Sequence, residues 1–129
     1  MTKREMNART KRFALRIIKL IDSLPDTKAA AVIGKQLLRS GTSVGANYRS
    51  ASRAKSDADF LFKLTIVEEE ADESIYWMEL LVESGLVRES LLEDLMDEAN
   101  QLLSIIVAAI KTLKNTRNPK SQIRNPKSP

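Results

Sequence analysis

Apolar residues recur at alternating steps of four and three in two long segments of this chain, and this period constrains the fold more than any other feature. The first segment places in one row Phe60, Leu64, Val67, Ala71, Ser74, Met78 and Leu81. The second repeats the row in Leu92, Leu95, Ala99, Leu102, Ile106, Ala109 and Leu113. Each segment also carries a second apolar stripe beside the first, so each helix must contact several neighbours, which favours a four-helix bundle.

Two further helices, and a short one after a break, are predicted in the first half of the chain. Apolar spacing indicates one over residues 6–24, ended by the Leu-Pro-Asp of residues 24–26. The next begins at an N-cap formed by Asp26 or Thr27 and is interrupted at residues 40–43, Ser-Gly-Thr-Ser, which are typical of a C-cap followed by a new N-cap. A short helix is expected over residues 44–55.

The remaining signals set the boundaries of a single domain. Ser56 is a plausible N-cap and Gly85 a plausible stop for the third long helix. Residues 115–129 contain Arg-Asn-Pro-Lys-Ser twice and almost no apolar side chain, so this basic tail is predicted to be disordered. The fold class is therefore all-α: an antiparallel up-and-down four-helix bundle over residues 1–114, with a break after the second helix and a disordered C-terminal tail.

Composition narrows the class of protein. The chain has no Cys and no His, so it lacks a thiolate or imidazole for catalysis or metal binding. No nucleophile and base can be paired, and no enzyme activity, cofactor or metal is predicted. The N-terminus shows no signal-type apolar stretch, and the longest nearly apolar run, residues 102–110, is too short to span a bilayer. A soluble cytoplasmic protein is expected.

Charge is strongly segregated along the chain. The net charge is +9 over residues 1–63, −10 over residues 64–113 and +5 over residues 114–129. A bundle built from this sequence has one basic and one acidic surface, which suits contact with an anionic polymer, with further copies of the chain, or with both.

The basic half contains the candidate nucleic-acid contacts. Four of them form a stripe at helical spacing on the first predicted helix: Arg9, Arg12, Arg16 and Lys19. Five more extend the basic half: Lys35, Arg39, Arg49, Arg53 and Lys55. Two interpretations stay open, namely contact with phosphates and a solubilising face that pairs with the acidic helices.

The acidic half contains a candidate oligomer interface. One flank of the third predicted helix carries Glu69, Asp72, Tyr76, Glu79 and Glu83. Residues 68–73 hold five carboxylates, but a metal site is not predicted because bundle metal sites need converging carboxylates and His from several helices. Glu68 aligns with an apolar stripe and is expected to be partly buried against an Arg. Residues 41–47 lack the Gly-Lys-Ser/Thr of a P-loop, so nucleotide hydrolysis is not predicted.

Residues 37–49, with the sequence Leu-Leu-Arg-Ser-Gly-Thr-Ser-Val-Gly-Ala-Asn-Tyr-Arg, carry a resemblance to a known family, supported by residues 59–64 and 76–81. They resemble the proteins encoded by intervening sequences of bacterial 23S ribosomal RNA genes. The resemblance implies a homopentameric ring of four-helix bundles with no established catalytic residues. A similar fold serves as the accessory variability protein of diversity-generating retroelements, which makes a reverse transcriptase or another protein a candidate partner.

The sequence and the resemblance together lead to two functional expectations. The first is a non-enzymatic, pentameric bundle that binds RNA or DNA through backbone charge. The alternative is a protein-interaction scaffold whose charged faces serve only self-assembly and a protein partner.

Overall fold

A computed structural model describes residues 1–117 and contains four helices in that range. They are α1 (Lys3–Asp22), α2 (Lys28–Ser52), α3 (Asp57–Glu83) and α4 (Glu89–Arg117). Because the connecting turns are only four or five residues long, successive helices run antiparallel. α2 packs extensively on α1 and α3, and α3 on α4, whereas α1 and α4 meet over a smaller area. The predicted all-α four-helix bundle is confirmed.

The helix boundaries follow from local capping. The Thr27 hydroxyl accepts a hydrogen bond from the Ala30 N–H at 3.1 Å, and the Ser56 hydroxyl accepts one from the Asp59 N–H at 3.1 Å. These bonds satisfy N–H groups that the first turn leaves without a helical partner. Gly85 has a φ of +81°, the left-handed conformation that glycine adopts most readily after a helix. Both predicted N-caps and the predicted stop are therefore confirmed.

The core is built from the predicted apolar rows. On α3 every member of the row is buried except Phe60, which is half-buried. The fully buried side chains from all four helices include Phe13, Leu37, Leu64 and Leu102. One continuous cluster joins them, so the four helices share a single core.

The predicted break at residues 40–43 is wrong, because α2 continues through it to Ser52. The Thr42 hydroxyl donates to the Leu38 carbonyl at 2.7 Å and so bonds within the helix rather than capping a new one. Ser40 is fully buried, and its hydroxyl accepts a hydrogen bond from that of Ser74 on α3 at 3.0 Å. The small polar residues allow close packing between helices and do not end one.

Three glycines form a stripe on α2 that faces the α1 side of the bundle. They follow one another at steps of seven and four, as Gly34, Gly41 and Gly45. A Cβ at Gly41 would lie 2.9 Å from Cγ1 of Ile17, and one at Gly45 would lie 3.2 Å from the Thr10 carbonyl oxygen. The absence of side chains at these positions lets the backbones of α1 and α2 approach closely.

α4 extends beyond the predicted domain boundary. The helix continues through residue 117, so the first three residues of the predicted tail belong to it. The rest of the predicted disordered tail lies outside the described residues. Within residues 1–117, no helix is long and apolar enough to cross a membrane.

Candidate nucleic-acid interface

The segregation of charge along the sequence becomes a segregation in space. α1 and α2 pack side by side and carry most of the basic residues, whereas α3 and α4 form the acidic half of the bundle. α2 is the extreme case: it contains Lys28, Lys35, Arg39 and Arg49 and no carboxylate. All four of these side chains are exposed. The α1–α2 face is therefore the cationic surface of the domain.

Arg9 does not contribute a free charge to this surface, because it binds across the bundle to α4. Its Nε lies 2.7 Å from Oε2 of Glu98, and its Nη2 lies 2.8 Å from Oε1 of the same carboxylate. Nη2 also donates to Oε1 of Gln101 at 2.7 Å. The hydrogen bonds between Arg9 and Glu98 lower the pKa of Glu98 and raise the pKa of Arg9. The bidentate pair joins α1 to α4 where those two helices otherwise meet little.

Arg39 is also paired, with two carboxylates of α3. Its Nη1 lies 3.2 Å from Oε1 of Glu70, and its Nη2 contacts Oε2 of Glu73. The indole N–H of Trp77 donates to the same Glu73 oxygen at 3.0 Å. The Trp77 hydrogen bond, followed by that from Arg39, lowers the pKa of Glu73. Arg39 therefore joins α2 to α3 and is partly neutralised.

The other seven predicted contacts remain exposed, and their side chains form no ion pair within residues 1–117. They are Arg12, Arg16, Lys19, Lys35, Arg49, Arg53 and Lys55. They do not form one patch. Arg12 and Arg16 lie on the α4 side of α1, close enough to Glu98 for their attraction to help lower its pKa. Arg49, in the last turn of α2, and Arg53, the C-cap of that helix, lie on the opposite flank of α1.

A groove between α1 and α2 brings Arg49 and Arg53 together with a cation that sequence analysis missed, Lys11. The groove has a volume of about 520 Å³. Its other lining residues are small or polar: Asn7, Ala8, Ala14, Thr42, Gly45 and Ala46. Lys11 does not belong to the helical stripe that contains Arg9 and Arg12, so the spacing of basic residues does not indicate it. Its position in the lining of this groove follows only from the packing of α1 against α2.

The acidic candidates share one exposed flank of α3. All five predicted interface residues are exposed, and none of their carboxylates forms an ion pair in the described part of the chain. Tyr76 is 51% exposed and stacks edge-on against Trp77 with ring centroids 5.1 Å apart. Glu68 is half-buried as expected, but the α3 carboxylates that meet an arginine are Glu70 and Glu73. Residues 1–117 contain no cluster of carboxylates suited to a metal.

The Arg9–Glu98 pair gives a pH-dependent prediction. Glu98→Gln should lower the free energy of unfolding at pH 7 by about 1 kcal/mol, because it removes a partly buried bidentate bond. Since folding lowers the pKa of Glu98, the contribution is complete above the ordinary glutamate value of about 4.3 and is lost as the pH falls below it. Urea unfolding of wild type and variant between pH 7 and pH 3 measures this difference.

The matched control is Glu93→Gln, which changes an exposed α4 carboxylate without an ion pair and should leave stability nearly unchanged. A gap between wild type and Glu98→Gln that stays constant down to pH 3 would contradict the assignment.

Comparison with known proteins agrees with this architecture. The domain is a four-helix bundle with opposed basic and acidic faces, and the model of the family described as 23S rRNA-intervening sequence protein matches residues 3–108. The chain therefore belongs to the 23S rRNA-intervening sequence protein family, as its resemblance in sequence indicated. No curated protein matches the chain.

A solved structure supports the same assignment. It is the crystal structure of a protein of unknown function from the S23 ribosomal protein family of Bacteroides thetaiotaomicron VPI-5482. The two chains are 36% identical and superpose with a TM-score of 0.80, over 86% of this chain and 99% of the other.

Proposed function

We propose that this chain is a non-enzymatic, oligomeric protein that binds RNA or DNA through the charge of the phosphate backbone. The observation that carries the proposal is the α1–α2 face, on which α2 lacks any carboxylate and most cations have no partner within residues 1–117. The binding of phosphates to these cations costs little free energy, because no internal ion pair has to break. The release of condensed counterions favours binding further.

The burial of the aromatic side chains of α1 and α2 favours contact with the nucleic-acid backbone over recognition of bases. Phe13 and Tyr48, the two aromatic residues of α1 and α2, are both buried. Proteins that hold single-stranded bases do so by stacking them on exposed aromatic rings. The cationic face therefore favours phosphate contacts over base stacking, and phosphate contacts carry no sequence information directly.

Fluorescence anisotropy with labelled RNA and DNA oligonucleotides of mixed sequence tests this function. Wild-type protein should bind both polymers at low salt and lose affinity as salt is added, because phosphate binding releases counterions. The absence of binding to either polymer at low salt would contradict the proposal.

The alternative, a protein-interaction scaffold, is favoured by a separate observation on α3. Phe62 and Tyr76 are 62% and 51% exposed and lie in one row with Glu69 and Glu83 at steps of seven residues. Exposed aromatic residues ringed by charge are typical of protein interfaces. In this account the acidic flank of one copy contacts the basic face of the next, head to tail, and the contact closes into a ring. The family resemblance suggests five copies. A reverse transcriptase is a candidate further partner.

Light scattering of wild type and of Glu69→Lys, Asp72→Lys, Glu79→Lys tests the assembly. We expect a wild-type mass of about five chains and a smaller mass for the triple variant, because like charges would then face each other across the contact. The same changes should leave the fold intact, since all three side chains are exposed. A wild-type monomer at tens of micromolar would contradict the ring.

A further inference from the structure

We propose that the α1–α2 groove is the seat of the nucleic acid, and that it holds an extended single strand by its phosphates. The proposal rests on the proposed function and assigns it a place and a ligand. Lys11, Arg49 and Arg53 line the groove, while Arg9 and Arg39, two of the predicted contacts, are excluded from the site by their ion pairs with α4 and α3.

The cations are placed to follow a strand. Arg49 lies in the last turn of α2 and Arg53, four residues on, is the C-cap of that helix, which separates their Cα atoms by about 6 Å along the helix axis. This is close to the separation of successive phosphates in an extended strand. Lys11 stands on the opposite wall, on α1. All three side chains are exposed and free of ion pairs within residues 1–117, so a strand lying in the groove meets cations on both sides.

The lining of the groove favours a strand over a duplex. Ala8, Ala14, Gly45 and Ala46 leave space between the walls, and no carboxylate or aromatic ring lines it. Its volume of about 520 Å³ falls within the range of about 300–1,000 Å³ for clefts that bury a small ligand. Packed helices have axes only about 8–10 Å apart, so a duplex would rest on the two helices without entering between them. A single strand can lie against the small residues with its bases turned outward.

A second groove, between α1 and α4, is less suited to phosphates. It has a volume of about 600 Å³, and its lining includes Leu20, Leu86, Leu91, Leu92 and Leu95. Arg16, Lys19 and Arg88 line it as well, but the negative charge of Glu98 offsets part of the field of Arg16. An anionic backbone lying there would meet these cations but would also lose water over a wall of leucines, which the α1–α2 groove lacks.

Matched triple variants test the assignment. The groove variant is Lys11→Gln, Arg49→Gln, Arg53→Gln, and the control is Arg12→Gln, Arg16→Gln, Lys19→Gln, which removes the same charge from the other flank of α1. Binding is measured by anisotropy with single-stranded RNA, single-stranded DNA and duplex DNA, each about 20 nucleotides long, which exceeds typical single-strand site sizes. The groove variant should lose about tenfold or more in affinity for single strands, and its log-log salt slope should become shallower by about 2. The control should lose less than about threefold, because its cations act only at a distance.

A second variant changes the groove without removing any cation. Ala46 is exposed and lines the groove, so Ala46→Glu places a carboxylate among the three cations. Glutamate and alanine both favour helices, and the fold should be retained. We expect a loss of single-strand binding comparable to that of the groove triple variant, with an unchanged circular dichroism spectrum.

Each outcome bears on the site separately from the function. A selective loss in the groove variants, with single strands bound more tightly than duplex by wild type, supports the site for RNA, for DNA or for both. Equal losses in the two triple variants, or tighter binding of duplex, overturn the site while the backbone-charge function stands. A wild type that binds neither polymer overturns both. Groove-dependent binding to vesicles of anionic lipid, without binding to either polymer, would overturn both as well.

Discussion

Leu64→Ala and Leu102→Ala should each lower the free energy of unfolding by about 2–5 kcal/mol, as deletions of fully buried leucines do. Leu64 and Leu102 have no exposed surface and lie in the predicted rows of α3 and α4. Truncation removes the transfer energy of the side chain and leaves a cavity between helices that cannot fully close. A loss of this size is a large fraction of the stability of a domain of this length.

Leu91→Ala is the matched control, because it makes the same chemical change at a leucine that is 72% exposed. It should change stability by about 0.5 kcal/mol or less, as should Glu69→Ala on the acidic flank of α3. Urea unfolding followed by circular dichroism measures all four variants. If buried and exposed substitutions prove equally mild, the registers of α3 and α4 are wrong.

Gly41→Ala should destabilise the protein by about 1–3 kcal/mol, although alanine is the better helix former. The added Cβ would lie 2.9 Å from Cγ1 and 3.0 Å from Cγ2 of Ile17, which is fully buried and β-branched and cannot turn aside. α1 and α2 would have to separate. Thermal or urea unfolding of the variant reports the cost.

Gly34→Ala provides the control on the same helix. Its Cβ would also approach another atom to 2.9 Å, but that atom is Cδ1 of Leu24, the far end of a flexible and half-buried side chain. Leu24 can move, so the gain in helix propensity should leave this variant neutral or up to about 1 kcal/mol more stable. A loss at Gly34 equal to that at Gly41 would mean that the glycine contacts do not set the α1–α2 packing.

The elements that the sequence predicts well are those that local chemistry decides. The positions of Leu64, Met78 and Leu102 follow a period of the helix itself, and Thr27 and Ser56 act on N–H groups three residues away. Each of these signals can be read without knowing what packs against the helix. They define four helices and, with short connections, their antiparallel order.

The errors arise where a distant residue decides the outcome. Ser-Gly-Thr-Ser at residues 40–43 has the composition of a helix terminus, but the same small residues are needed inside a helix when another helix comes close. That proximity is a tertiary property, and it overrides local preference in α2. One sequence signal was present: Gly34, Gly41 and Gly45 keep helical spacing through the supposed break.

The candidate site shows the same division. Nothing near Arg9 distinguishes it from Arg12, because its partner Glu98 is 89 positions away in the chain. Lys11 joins Arg49 and Arg53 only because α1 and α2 pack antiparallel with little space between them. The sequence predicts the sign of the charge on each surface, while ion pairs across the bundle decide which cations remain available to bind phosphates.

The salt dependence of single-strand binding tests the central claim most directly. Affinity is measured by anisotropy across a series of salt concentrations for two oligonucleotides of equal length and unrelated sequence. Binding through backbone charge predicts equal affinities for the two sequences and a straight log-log plot whose slope is about −0.7 for each phosphate neutralised. Affinity that does not change with salt, or that differs strongly between the two sequences, would contradict it.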